Sequence, residues 1–242
     1  MEYQHTIKNE ISICGVGLHS GNKVTLTFKP APANHGILFK RIDLEGEPTI
    51  KASASYVTET RRSTTLCKNG IKIQTTEHVL AACAGLKIDN TLIEINAEEP
   101  PILDGSCIEF IKCLKKAIPH KQNALRKYFK IKEEINFEDP ESGVKIKALP
   151  SDEFSVFVNI DYKSKVLRNK SAELKNINQF ESEFADARTF CFLHELEFLS
   201  QNGLIKGGDL NNAIVYVERE VNQEELKRLA ILFNKESIKI SK

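Results

Sequence analysis

The sequence predicts an α+β fold of two similar domains, each a sheet layered with helices. In both halves a run of strand patterns precedes the helical patterns, which favours α+β layers over a parallel doubly wound sheet. A polar stretch at 120–127 separates the halves and is typical of a linker. The predicted domains are therefore 1–119 and 128–242, and the 242-residue length fits two small domains.

Composition and charge exclude several classes of protein. The net charge is +1 with mixed signs along the chain, so no nucleic-acid partner is expected. No apolar run approaches the roughly 18 residues of a membrane span, which argues against an integral membrane protein. The six cysteines show no CxxC spacing, and several lie in apolar runs, as reduced thiols do. These features predict a soluble protein of the cytoplasm.

The first half is rich in strand signals joined by turn signals. Three glycines within 15–21 indicate a turn with unusual backbone angles, and Asn69-Gly70 is a strong hairpin signal. A helix is expected from Asp104 to about Ala117. Alternating or β-branched patterns predict strands at 5–14, 24–28, 37–41, 49–57, 63–67, 71–74 and 91–95.

A helix that carries a Glu-His pair follows the hairpin. Thr75 or Thr76 is the expected N-cap, and Gly85 the expected end. Glu77 and His78 then lie in the first turn, where the helix dipole favours a carboxylate and a neutral imidazole. A neutral imidazole can bind a metal ion, and the adjacent carboxylate can accept a proton from metal-bound water. A capped helix with a solvated first turn is the competing interpretation.

The second half, like the first, has several predicted strands followed by helical patterns. Position 198 is Phe, so His194-Glu195 does not complete a zinc-protease HExxH helix, and the chain contains no GxGxxG or P-loop motif. Asn222 is expected to cap an amphipathic final helix. The patterns predict strands at 128–136, 143–149, 154–162 and 213–217, a polar excursion at 163–178, and a helix at 194–201 that ends before Gly203.

Several short motifs occur in a specific order across the chain: GVGLHSG at 15–21, TTEHVLAA at 75–82, IDN at 88–90, LDGS at 103–106, ARTF at 187–190 and GLIKGGDLNNA at 203–213. Together they resemble the UDP-3-O-acyl-N-acetylglucosamine deacetylase family, zinc amidases of lipid A synthesis in Gram-negative bacteria. With Cys191 after Thr189-Phe190, the sequence is most similar to the Bacteroidetes-type form fused to a 3-hydroxyacyl-ACP dehydratase.

The resemblance implies a reaction and the residues that catalyse it. The family hydrolyses the acetamide of UDP-3-O-acyl-N-acetylglucosamine, with Zn²⁺ and substrate in the cleft between its two domains. By position, His78 matches a zinc ligand and Glu77 matches the general base. Thr189 matches the hydroxyl that holds the oxyanion of the tetrahedral intermediate.

The same resemblance implies a set of substrate contacts. Phe190 matches the aromatic residue near the glucosamine ring, and Leu204 and Ile205 lie where the family builds an apolar passage for the acyl chain. His19 matches a loop residue near the metal. Gly208 belongs to a Gly-Gly pair that could pass close to a ligand.

The chain also departs from the family pattern. The HKxxD helix, which supplies two further zinc ligands, and a later GH motif, which supplies the general acid, match no stretch of this sequence. A catalytic zinc takes three protein ligands, and one is matched. We therefore expect a second domain that is incomplete at its C-terminal end, with the apolar faces of 213–217 and 226–233 partly uncovered.

Three hypotheses follow. The chain is a zinc-dependent deacetylase or the larger part of one, or it is a non-catalytic relative that binds acyl-sugar nucleotide or a partner without turnover. The third hypothesis is a scaffold whose motifs are purely structural.

Overall fold

A computed structural model describes residues 2–233 and 235–240, the side chains at 197 and 200 excepted. The fold is mixed α+β, with several small sheets and few helices, and this confirms the predicted class. The first half contains β1 (Tyr3–Ile7), β2 (Ile11–Val16), β3 (Lys23–Pro30), β4 (Ile37–Arg41), β5 (Thr49–Lys51), β6 (Val57–Glu59), β7 (Thr65–Lys68), β8 (Ile71–Ile73), α1 (Glu77–Gly85), β9 (Thr91–Ile95), α2 (Ile108–Lys116) and β10 (Pro119–Leu125).

A five-stranded sheet forms the core of the first half. Its strand order is β2-β3-β9-β4-β5, in which β4 and β9 are parallel and the other neighbours antiparallel. β3 alternates as predicted and buries Val24, Leu26 and Phe28 on one face. Phe28 meets Phe110 of α2 edge to face at 6.5 Å between ring centroids. The sheet and both helices therefore share one apolar core.

The Asn69-Gly70 hairpin forms as the sequence predicts. Asn69 and Gly70 have φ of 51° and 79°, the left-handed values that a two-residue hairpin turn requires. The turn joins β7 and β8, which pair antiparallel and belong to a three-stranded sheet with β6. The chain then passes directly from β8 into α1, so this hairpin sets where α1 begins.

Three predictions about the first half are corrected. The predicted strand at 5–14 is two strands, β1 and β2, in different sheets. The predicted strand at 49–57 is interrupted by a 3₁₀ turn at Ala54–Tyr56. The predicted linker at 120–127 contains most of β10, which pairs with β1, and its polar composition reflects an exposed strand rather than a free connection. The division into domains at this point stays a prediction.

The second half consists of paired strands and short helices. The elements are β11 (Ile135–Glu138), β12 (Lys145–Ala148), β13 (Val156–Ile160), β14 (Lys170–Leu174), α3 (Phe180–Glu183), β15 (Phe190–Phe192), α4 (Leu193–Gln201), β16 (Ile214–Tyr216) and α5 (Gln223–Leu232). Two antiparallel ribbons, β11-β12 and β13-β14, precede a parallel pair, β15-β16. β14 lies inside the predicted excursion at 163–178, and the predicted strand at 128–136 begins at 135.

Many apolar side chains of the second half are exposed. Phe137, Ile146 and Phe157 project from the two ribbons into solvent. On α5, Ile231 is 80% exposed, whereas Leu229 packs against a small core formed around Leu193, Leu196 and Phe233. Within the described ranges, no helix is long and apolar enough to cross a membrane.

Candidate functional site

The glycine-rich loop at 15–21 and the segment at 204–208 interlock, and this brings the two halves of the chain together. Gly207 N donates to Leu18 O at 3.0 Å. A Cβ on Gly207 would lie 2.1 Å from Gly17 O, so the backbones approach more closely than any side chain would permit. The glycine-rich turn at 15–21 thus packs against the Gly207-Gly208 segment of the second half.

A cavity of about 70 Å³ opens where these segments meet. Leu196, Leu199 and Val215 form apolar walls, and Arg62 and Asp209 add charge. Five of the residues predicted as site residues line it: His19, Thr189, Phe190, Ile205 and Gly208. Leu204 contributes its carbonyl oxygen to the surroundings of His19, and its side chain is partly exposed. The roles assigned to these residues stay predictions.

The hydrogen bond of the His19 ring fixes its tautomer. His19 Nδ1 lies 2.5 Å from Leu204 O, and because a carbonyl can only accept, Nδ1 must carry the hydrogen. In the neutral ring Nε2 is then an acceptor. This atom is buried and has no hydrogen-bond partner within the described part of the chain. His19 therefore has a buried acceptor with an unused lone pair.

Glu77 and His78 lie in the first turn of α1, as predicted. Glu77 Oε2 accepts from Thr64 N at 2.9 Å. Burial lowers the pKa of His78 below its usual range, although Glu77, Asp104 and the Ser106 backbone act in the opposite direction. A lowered pKa favours the neutral imidazole that the sequence predicts, and desolvation is the largest of these causes.

The predicted side-chain cap of α1 does not form. Thr76 occupies the N-cap position without a capping hydrogen bond, and its Oγ1 instead donates to Thr64 O at 3.0 Å. Thr75 adopts φ of 55° and its hydroxyl donates to Glu99. The helix start is therefore held by tertiary contacts with Thr64, the residue before β7, and with Glu99 in the segment after β9.

A turn at 104–106 connects the two groups of predicted catalytic residues. Asp104 and the Ser106 backbone lie near enough to His78 to act on its pKa. From the other side, Thr189 N donates to Gly105 O at 2.8 Å. Glu77 and His78 do not line the cavity, but the turn places them one segment away from Thr189, which does.

The sequence analysis missed Glu99 and Arg62. Glu99 is completely buried and accepts hydrogen bonds from His19, Ser20 and Thr75. Arg62 lines the cavity and pairs with Glu195 at 2.9 Å. Glu99 follows β9 beside the exposed Glu98, and no local pattern distinguishes the two carboxylates. Pro100-Pro101 directly after it is the one signal of a constrained segment there.

The described residues fit a metal ion in one respect and not in another. His78 is a neutral, half-buried imidazole, which suits a zinc ligand. Across residues 2–233 and 235–240, however, no group of three or more His, Cys, Asp or Glu side chains could hold a metal ion. This stretch therefore offers a ligand but not a complete metal site.

The chain matches known proteins over nearly its whole length. It is 47% identical to the "Bifunctional enzyme LpxC/FabZ" of Bacteroides thetaiotaomicron over 227 residues, which cover 94% of this chain and 49% of that protein. The corresponding protein of Chlorobaculum tepidum is 44% identical over 229 residues, 94% of this chain and 49% of that protein. The chain thus spans about half the length of these bifunctional relatives.

A second kind of relative is shorter. The UDP-3-O-acyl-N-acetylglucosamine deacetylase of Saccharophagus degradans is 42% identical over 228 residues, which cover 93% of this chain and 75% of that protein. The model of the family described as "UDP-3-O-acyl N-acetylglycosamine deacetylase" matches residues 4–235. The chain belongs to this deacetylase family, LpxC.

Proposed function

We propose that this chain forms the part of a zinc-dependent deacetylase that carries the general base and the acyl pocket. Its substrate is UDP-3-O-acyl-N-acetylglucosamine, whose acetamide is hydrolysed in lipid A synthesis. The observation that carries the proposal is the 104–106 turn, which holds His78 on one side and Thr189 on the other. Similarity to deacetylases over at least 93% of the chain supports the same reaction.

The side chains of the chain have distinct roles in this reaction. Glu77 accepts a proton from the attacking water, and its Oε2 is oriented by Thr64 N at 2.9 Å. The Thr189 hydroxyl donates to the oxyanion that develops on the amide carbonyl. His78 would hold a zinc ion, which supplies the Lewis acidity that polarises this carbonyl. The other zinc ligands and the general acid of the family match no residue here, so the proposed turnover belongs to a protein that also carries them.

The cavity supports the proposed substrate. Its walls of Leu196, Leu199 and Val215, together with Ile205, suit an acyl chain, and the Phe190 ring lies beside them for contact with the sugar. Gly208 keeps one wall free of a side chain. The six cysteines are free thiols, which accords with the reducing cytoplasm that we propose as the location. A fused dehydratase domain is part of the proposal, by analogy with the bifunctional relatives.

Substitution of Glu77 tests the proposal. In a protein that carries this chain and the missing family motifs, Glu77→Gln should lower acetate release by about 10²- to 10⁴-fold, because a positioned general base contributes that much. Zinc content should stay at the wild-type level. Glu98→Gln, an exposed carboxylate, is the matched control and should keep full activity. Full turnover by Glu77→Gln would remove the assigned base.

A non-catalytic binding function is the second candidate. The lack of a three-donor metal group in the described ranges favours it for this stretch taken alone. A titration of the 242-residue chain with UDP-3-O-acyl-N-acetylglucosamine, run beside an acetate assay, separates the two. The binding function would be supported if substrate binds but no acetate is released, both by the 242-residue chain and by a protein that also carries the missing family motifs. Acetate release would exclude it.

A further inference from the structure

Glu99 is a buried carboxylate, 0% exposed. Within the described part of the chain, its hydrogen-bond partners are backbone N–H groups and hydroxyls rather than cationic side chains. Its oxygens are instead satisfied by the backbone of the loop at 15–21 and by two hydroxyls. Burying a charge in this way is costly unless several donors replace the lost water.

All the hydrogen bonds of Glu99 are donated to its two carboxylate oxygens by neighbouring N–H and O–H groups. His19 N lies 3.1 Å from both Oε1 and Oε2, and Ser20 N lies 2.9 Å from Oε2. The Ser20 hydroxyl donates to Oε2 and the Thr75 hydroxyl to Oε1, each at 2.9 Å. Four donors therefore surround the two carboxylate oxygens of Glu99, and hydrogen bonds from N–H and O–H groups to a carboxylate are among the strong ones.

Gly17 provides the space that the carboxylate occupies. A Cβ on Gly17 would lie 2.4 Å from Glu99 Oε2 and 2.4 Å from Ser20 Oγ. Any side chain there would displace the carboxylate from its donors. The loop thus combines a missing side chain with two backbone N–H groups that point at one oxygen pair, which is an arrangement built to receive Glu99.

The donors belong to two segments with different proposed roles. His19 lines the cavity, and its ring is held on the far side by Leu204 O. Thr75 lies two residues before Glu77 and is strained at φ of 55°. Glu99 therefore connects the wall of the cavity to the start of α1 through a single side chain.

We propose that Glu99 is a positioning residue that sets the place of His19 relative to the helix start that carries Glu77 and His78, and thereby keeps its ring in reach of Leu204 O, which fixes the tautomer. Glu99 itself does not line the cavity and acts through His19, which does. The inference rests on the proposed function in that it assigns the His19 Nε2 lone pair to binding a donor group of the acyl-sugar nucleotide.

Glu99→Gln removes the interaction with little change in volume. Whichever way the amide is oriented, its NH₂ group faces the His19 N–H, and a backbone N–H cannot reverse its polarity. The loop must then shift, and the bond from His19 Nδ1 to Leu204 O weakens with it. The matched control is again Glu98→Gln, which neutralises the adjacent but exposed carboxylate.

Two measurements on the 242-residue chain test the proposal. With ¹⁵N-labelled histidine, long-range ¹H–¹⁵N spectra report the tautomer of each ring, and a His19→Gln variant assigns the His19 signal. We expect a fixed Nδ1–H tautomer in the wild type and in Glu98→Gln, and a mixed one in Glu99→Gln. Affinity for UDP-3-O-acyl-N-acetylglucosamine should fall by about tenfold or more in Glu99→Gln alone.

The outcomes distinguish this inference from the proposed function. If the wild type binds no substrate, the proposed function fails, and the His19 tautomer alone decides the role of Glu99. If Glu99→Gln has the wild-type His19 spectrum and affinity, the positioning role is overturned. If Glu99→Gln does not fold, Ser20→Ala decides, since it removes one donor and leaves the charge. A smaller shift in the same direction supports the role, and an unchanged spectrum contradicts it.

Discussion

Gly105 and Gly207 allow backbone from the two halves of the chain to touch. Gly207 packs on the carbonyl of Gly17, and Gly105 packs on that of Asn212. Around Gly105 the contact is reinforced by Arg188, whose Nε donates to Asp104 O at 2.7 Å. These close approaches put the cavity and the start of α1 on opposite sides of one short turn, so their geometry depends on the absence of side chains.

Gly105→Ala should therefore be severely destabilising. Gly105 has φ of 86°, and an added Cβ would lie 1.9 Å from Asn212 O, so backbone strain and overlap act together. We expect a loss of about 3 kcal/mol in the free energy of unfolding, measured by urea denaturation.

Gly143→Ala is the control for backbone strain. Gly143 has φ of 73° with no atom within 4 Å of an added Cβ, so its substitution should cost about 1 kcal/mol. Equal losses for the two variants would mean that the approach of Gly105 to Asn212 contributes nothing.

The helices α1 and α5 begin in physically different ways. At α5 the Asn222 side chain accepts from Glu225 N at 2.9 Å, a local cap that forms as the sequence predicts. At the start of α1, Glu77 Oε2 accepts from Thr64 N, and Thr76 Oγ1 donates to Thr64 O. The start of α1 thus depends on Thr64, the residue before strand β7, being in place, whereas α5 is specified by its own sequence.

Asn222→Ala should destabilise α5 by about 1 kcal/mol, because it leaves an N-terminal N–H without its acceptor. Thermal unfolding followed by circular dichroism measures the change. Asn222→Ser keeps a capping oxygen and should retain nearly all of the stability. If Ser and Ala at this position prove equally destabilising, the cap is not the source of the effect.

Local signals predicted elements well where neighbours in sequence determine the structure. The Asn69-Gly70 turn, α4 and the Asn222 cap follow from short-range chemistry. The helix α1 was also predicted, although its start is held by contacts with Thr64 and Glu99. β10 was missed because a polar exposed strand is defined by its partner β1, which lies more than 100 residues away. Glu99 was missed for the same reason: Glu98 and Glu99 differ in what folds over them, not in their local sequence.

The residues of the candidate site could be predicted from the sequence where they belong to motifs of the family. His19, Thr189, Phe190, Ile205 and Gly208 come from three separate stretches, and their meeting at one cavity follows from tertiary packing rather than periodicity. Arg62 lies in no such motif, and it lines the cavity wall while pairing with Glu195, which lies 133 residues further along the chain.

The two halves of the molecule have unequal cores. The first half contains a large buried cluster around Leu26, Phe28 and Phe110. The cluster of the second half centres on Leu193, Leu196 and Phe233, and the strands of its ribbons expose apolar side chains on both faces. Since buried apolar area drives folding, the second half should be the less stable part of this chain.

Cysteine reactivity can measure this difference, because Cys83 in the first half is buried and Cys191 in the second half is partly buried. Burial raises the pKa of Cys83 to about 12 in the first half and that of Cys191 to about 11 in the second. At pH 8 both are protonated and unreactive in the folded chain, and each gains a thiolate fraction when unfolding returns its pKa to the ordinary range of about 8.5. Cys14 is exposed and should be labelled without denaturant.

Brief alkylation across a urea gradient, read by mass spectrometry, should label Cys191 at lower urea than Cys83. A variant with Phe28→Ala weakens the larger core and should bring the two midpoints together, because removal of a buried Phe costs about 3–5 kcal/mol. Labelling of both thiols at one urea concentration in the wild type would mean that the contacts of Gly105 and Gly207 couple the halves into a single cooperative unit. The predicted division near residues 120–127 would then describe the sequence but not the folding of the molecule.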